Sequence, residues 1–212
     1  MLMLEEIFKI KKAENSEAFN LRILRGLSWL KKAYDLNEEP DLQYMSLWIS
    51  FNAIYAQGTE PNEKCLPQFL KMLCQKDAEG KLGQMLWEKL SQPVQALLHQ
   101  HALYQGFWDY QNAQISMEQF KEGLAQDMGQ QRLAMQQQDT FALLILLFKR
   151  LNTLHIQLMQ GGMSCGSAVN RKYMQDCCHV LGALMPVMIL LLLENAQAMD
   201  LGKPYYPAAH VC

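Results

Sequence analysis

Several things are scarce in this chain, and each scarcity removes a class of function. Charged residues make up only 19% of its 212 residues, and the formal net charge is −2. No global positive field therefore draws it onto a nucleic acid, and any such contact must come from a local patch. The candidates are Lys9/Lys11/Lys12, Arg22/Arg25, Lys31/Lys32, Lys149/Arg150 and Arg171/Lys172. Each also reads simply as a solvated helix face. The six cysteines include no C-x2-C pair, and the adjacent Cys177 and Cys178 point to different sides of a helix. His99 and His101, two residues apart, do not face one another either. The expectation is no metal, no cofactor and reduced thiols in a cytoplasmic protein. The N-terminal "MLMLEEIFKIKK" lacks the charge order of a secretion signal; it reads as a short amphipathic helix with Leu4, Ile7 and Phe8 on one face. The longest uncharged apolar run, Val180 to Leu193, contains Pro186 and is too short to cross a bilayer, which predicts a buried core helix and no membrane partner.

Sustained strand-like alternation is also missing, and helical periodicity fills the space. Helices are predicted over about 16–36, 40–57 (stopped by Gly58), 67–74 and 81–91. Pro93 restarts the chain into "VQALLHQHALY". The "GFWDYQNA" stretch, Gly106 to Ala113, is expected to be a loop carrying buried aromatics. Ser116-x-x-Gln119 is a capping box opening a helix to about Gln137, whose polar "QQRLAMQQQ" end is expected to protrude. Asp139 caps the next helix, which Gly161-Gly162 ends, and a loop to Val169 leads into a last helix over 170–199 kinked at Pro186. Gly26 marks a weak point in its helix or a site of close packing. The fold class is all-α: a helical bundle with a long central helix pair joined by a Gly-rich loop. No linker is evident over 1–212, with 1–15 as an amphipathic extension and 200–212 as a tail.

The loop holds a textual hydrolase signature, G-x-S-x-G, with Ser164 between Gly162 and Gly166. A nucleophile elbow needs a strand entering the turn, and the residues before Gly162 are helical, so the match is accidental. Cys165 has no evident base beside it. A second match is R-x4-H, Arg150 to His155.

The quoted stretches "LWISFNAIYA" (Leu47 to Ala56), "GFWDY", "RLNTLHIQLMQGG" followed by "SAVNR", and "LGKPYYP" together resemble a bacterial branch of the HEPN superfamily (higher eukaryotes and prokaryotes nucleotide-binding). The resemblance covers most of the chain. It implies an all-α domain of defence or toxin–antitoxin systems. It also implies a homodimer, with RNA, a nucleotide, an antitoxin or a HEPN-related protein as partner. Active members carry R-x4-6-H at a helix end running into Gly-Gly and cut RNA without a metal. In that chemistry the ribose 2′-hydroxyl attacks the adjacent phosphate, a histidine moves the proton and an arginine stabilises the charge.

Register decides what this implies here. Anchored on Gly161-Gly162, the family's arginine, asparagine and histidine fall on His155, Ile156 and Gln160, so the motif is degenerate. Gln160 exchanges no proton at neutral pH. The literal pair Arg150 and His155 diverges by about 140° on a regular helix, which makes Arg150 a helix-surface or interface residue. His155 reads either as a half-buried bundle histidine or as a surviving acid/base. Asn170 and Arg171, opening the last helix, are candidate anion contacts, although Asn170 also reads as a plain cap. Three functions stay open: a binding domain with a lost ribonuclease motif; an active metal-independent endoribonuclease using Arg150 and His155 with help from Arg171; and a helical interaction module without nucleic acid.

Overall fold

The computed structural model describes residues 2–55, 65–199, 201–204 and 206. Among these, the protein is all-α, with ten α-helices and no strand. In chain order they are α1 (Leu2–Lys11), α2 (Glu17–Asp35), α3 (Pro40–Tyr55), α4 (Cys65–Lys76), α5 (Lys81–Gln84), α6 (Ser91–His99), α7 (Gln105–Gln111), α8 (Met117–Gln137), α9 (Thr140–Met159) and α10 (Arg171–Glu194). The expected end of α3 at Gly58 lies outside the described residues. The described residues fall into two compact units, those within 1–82 and 181–212 and those within 83–180. Both boundaries fall inside helices, α5 and α10, which is why no linker composition marks them.

In the first unit, α2 buries Phe19, Ile23, Leu27, Leu30 and Ala33, a three-to-four spacing that keeps one stripe inward. Gly26 lies on that stripe because α3 comes too close for a side chain: a Cβ there would sit 2.7 Å from Ile54 Cγ2. Ser50 of α3 donates its hydroxyl to the Gly26 carbonyl at 2.7 Å, so this embedded polar group is satisfied. The N-terminal helix is amphipathic as its sequence predicts, with Leu4 and Phe8 buried. Lys11 donates to the Leu193 carbonyl at 3.0 Å, near the α10 C-terminus, where such a carbonyl has no helical donor.

Pro186 does not end α10, which continues to Glu194. Proline removes the N–H that would bond the carbonyl four residues back, that of Gly182. Tyr34 Oη donates to this Gly182 carbonyl at 3.1 Å and replaces the missing donor. Arg22 and Arg25 are both engaged by carbonyls of their own unit. Arg22 is 1% exposed and donates to the carbonyls of Leu201 and Lys203 at 2.9 and 2.8 Å, and Arg25 donates to the Tyr206 carbonyl. They tie the described part of the tail to α2.

In the second unit the expected helix over 81–91 contains a register change. A π-turn covers Met85–Lys89, closed by Leu90 N–H donating to the Met85 carbonyl at 2.9 Å. The "GFWDY" segment is a helix, α7, and its aromatics are half-buried rather than buried. Side-chain packing overrides the weak propensity there: Trp108 Nε1 donates to the Ala102 carbonyl at 2.8 Å, and Tyr110 stacks on Phe120 at 5.3 Å. The end of α8 does not protrude as a whole, since Asp127, Gln131 and Ala134 are buried. Both α9 and α10 are long and apolar enough to cross a membrane by length and composition alone, and half or more of each apolar stretch is buried inside the protein.

Candidate functional site

The residues singled out in the sequence lie on α9, on the loop after it and at the start of α10. Asp139 caps α9, accepting from Ala142 N–H at 3.0 Å, and the helix then buries Leu143, Leu144, Leu147, Leu151 and Leu154. Arg150 belongs to this inward stripe. It is 3% exposed, which corrects the expectation of a surface or interface arginine.

Its guanidinium forms an ion pair with Asp127 of α8, itself 8% exposed. The Nε and one terminal nitrogen both donate to the Leu98 carbonyl at 3.3 Å. Leu98 is in the last turn of α6, where helical carbonyls lack N–H partners and the dipole favours a cation. The guanidinium carbon of Arg150 lies over the Tyr104 ring, 4.9 Å from its centroid. Gln131 completes the node, donating to Asp127 Oδ2 at 2.6 Å and to the Leu98 carbonyl at 3.4 Å. Two glycines make room for Tyr104: a Cβ at Gly106 or Gly123 would lie 2.8 or 2.9 Å from it. Arg150 thus ties α6, α8 and α9 together through a buried, hydrogen-bonded charge pair.

Asp127, Gln131 and Tyr104 were not recognised from the sequence. One signal was present. Asp127, Gln131 and Ala134 follow the inward register of α8, and a carboxylate at a core position requires a cation. Which cation depends on packing between helices.

The second register ends α9. Gln160 is the exposed C-cap, followed by Gly161 at φ +69°. Gly162 N–H donates to the Gln157 carbonyl at 2.7 Å and Gly161 N–H to that of Leu158 at 3.2 Å, the paired bonds of a Schellman ending. A side chain would be strained at that positive φ, which accounts for Gly161. His155 and Ile156 are half-buried one turn earlier. Burial lowers the His155 pKa below its ordinary value, so the ring is held neutral at physiological pH. A neutral imidazole accepts a proton, but Gln160 supplies no acid to complement it.

Ser164 and Cys165 are exposed in the loop, with no strand before them. The loop closes back on α10: the Arg171 guanidinium passes 3.6 Å from the Cβ position of Gly166. Asn170 and Arg171 are half-buried, and Lys172 pairs with Asp176 one turn on, at 2.6 Å. Cys177 and Cys178 are buried behind them, and burial pushes the Cys177 thiol well above its usual range. Among the described residues, no three His, Cys, Asp or Glu side chains gather in a way that would hold a metal ion.

The structure therefore separates the two halves of the textual R-x4-H match. Arg150 is inside the second unit as a packing cation, and His155 stands near the glycine turn with Ile156 and Gln160. No family model, curated protein or solved structure matches the chain.

Proposed function

We propose that this chain is a HEPN-like binding domain whose ribonuclease centre is incomplete, acting in the cytoplasm within a defence or toxin–antitoxin type system. The observation that carries the reading is the burial of Arg150. Its charge is already committed to Asp127 and to the Leu98 carbonyl, so reaching a phosphate would break a buried ion pair. With Gln160 in the place of the family's histidine, the site lacks both the charge stabiliser and the second proton carrier that 2′-hydroxyl attack requires. The remaining role is binding. RNA or a nucleotide is the ligand class the resemblance brings, with Asn170 and Arg171 as its contacts at the start of α10.

The test is a labelled single-stranded RNA incubated with the full chain in EDTA across about pH 6–8, with His155→Ala in parallel. The expected result is no cleavage, with binding at low salt that Arg171→Ala weakens. Cleavage that disappears in His155→Ala would overturn the proposal and restore the endoribonuclease reading. Absence of RNA binding even at low salt would leave a helical interaction module in its place.

A further inference from the structure

Helix α8 carries an outward face that its own unit does not use. Positions 118, 122, 125, 129, 132 and 136 recur at alternating spacings of four and three, so they form one line along the helix. Glu118, Glu122, Ala125, Arg132 and Gln136 are exposed, and Gly129 is half-buried. Beside this line stand two large apolar side chains in solvent, Met128 at 56% and Leu133 at 53% exposure. On the Met128 flank lies a groove of about 640 Å³ between α6 and α8, with Leu98, His99, Met128, Gly129, Arg132 and Met135 among its walls.

Gly129 differs from the other helical glycines of this unit. Gly83, Gly106 and Gly123 each face an atom within 3.4 Å of where a Cβ would be, whereas a Cβ at Gly129 would meet nothing within 4 Å. No neighbour in its own chain asks for glycine, although glycine weakens the middle of a 21-residue helix. With Ala125 one turn away, it lowers the helix surface at the centre of the exposed line. Two helices approach most closely where such small residues meet.

The charges name the occupant. Glu118 and Glu122 precede the small pair, and Arg132 follows it. A parallel copy would oppose Glu122 to Glu122 and Arg132 to Arg132. An antiparallel copy, turned about a two-fold axis midway between Ala125 and Gly129, opposes Ala125 to Gly129 and Glu122 to Arg132, twice over. Sliding by one heptad in either direction loses both pairs. The same two-fold keeps each flank on its own side, so Met128 meets the partner copy's Met128 over the groove. We propose that the α8 face is a self-association surface on which two copies of this chain pair antiparallel in this register. The surface is independent of any ligand at His155 or Arg171.

Sedimentation of the full chain across about 1–100 μM tests this, a range that spans micromolar dissociation constants. Wild type is expected to pass from monomer to dimer in that range. Glu122→Arg and Arg132→Glu each place like charges together and weaken the dimer at least tenfold. The double variant carries the reversed pair and regains wild-type association. Gly129→Leu blocks the close approach while its Cβ clears the rest of the chain, so its thermal melt stays cooperative as the dimer disappears. A wild type that remains monomeric, single charge variants that dimerise unchanged, or a double variant that fails to recover would each overturn the proposal.

Discussion

Truncating Arg150 to alanine is the perturbation that best separates a packing cation from a catalytic one. The substitution leaves the Asp127 carboxylate 8% exposed, with Gln131 Nε2 still donating to it at 2.6 Å. The Leu98 carbonyl loses two donors at 3.3 Å, and the Tyr104 ring loses the guanidinium above it. Removing one partner of a buried pair costs about 3–5 kcal/mol, because the other charge stays desolvated and uncompensated. Against a total domain stability of about 5–15 kcal/mol, that loss is large enough to move the unfolding transition well below that of wild type. Removing both charges with apolar residues, Arg150→Met with Asp127→Leu, removes the desolvation cost as well as the attraction. The deficit left is the loss of the arginine donors to the Leu98 carbonyl, which keeps Gln131 Nε2 at 3.4 Å, and of the carboxylate that Gln131 bonded, about 1–3 kcal/mol. The double variant is therefore expected to be more stable than Arg150→Ala. Urea unfolding of both variants and wild type at neutral pH, followed by far-ultraviolet circular dichroism, measures this. A loss below about 1 kcal/mol for Arg150→Ala would refute the structural assignment. A stable Arg150→Ala that had lost an RNA-cutting activity present in wild type would return the arginine to the reaction.

Gly106→Ala places a Cβ 2.8 Å from the Tyr104 ring, which also packs under Arg150, so overpacking of about 1–3 kcal/mol should exceed the helix-propensity gain of about 1 kcal/mol and lower the melting temperature. Burial lowers the folded-state pKa of His155 below its unfolded value, so the fold favours the neutral ring. Its contribution to stability is complete above about pH 6.5 and is lost as pH falls from there through the lower folded value, and His155→Gln should flatten that part of the urea-midpoint profile. With its thiol pKa raised by complete burial, Cys177 should resist a thiol reagent in the native protein and react only on unfolding, whereas the exposed Cys165 should label at once, as peptide mapping by mass spectrometry will show.

Much of the fold was legible because helix signals are local. The Ser116 and Gln119 side chains close their capping box over three residues, at 3.2 and 2.8 Å. Asp139 caps α9 in the same way, and Gly161 ends it through a left-handed turn that its residue type permits. These features are set within a few residues of one another, so the sequence by itself determined them along with the all-α class and the inward stripes of α2 and α9. The tertiary structure decided the rest. Nothing near Arg150 in the chain announces Asp127, 23 positions away, or the Leu98 carbonyl, 52 positions away. The same holds for the Tyr34 hydroxyl that replaces the donor lost at Pro186, and for the tail carbonyls that Arg22 holds. An arginine in an apolar helix is equally a surface cation, an interface contact or a buried counter-charge until packing fixes which helix faces it. In this protein that packing, by burying Arg150 against Asp127, turned a residue that read as a surface or interface cation into one that holds three helices together.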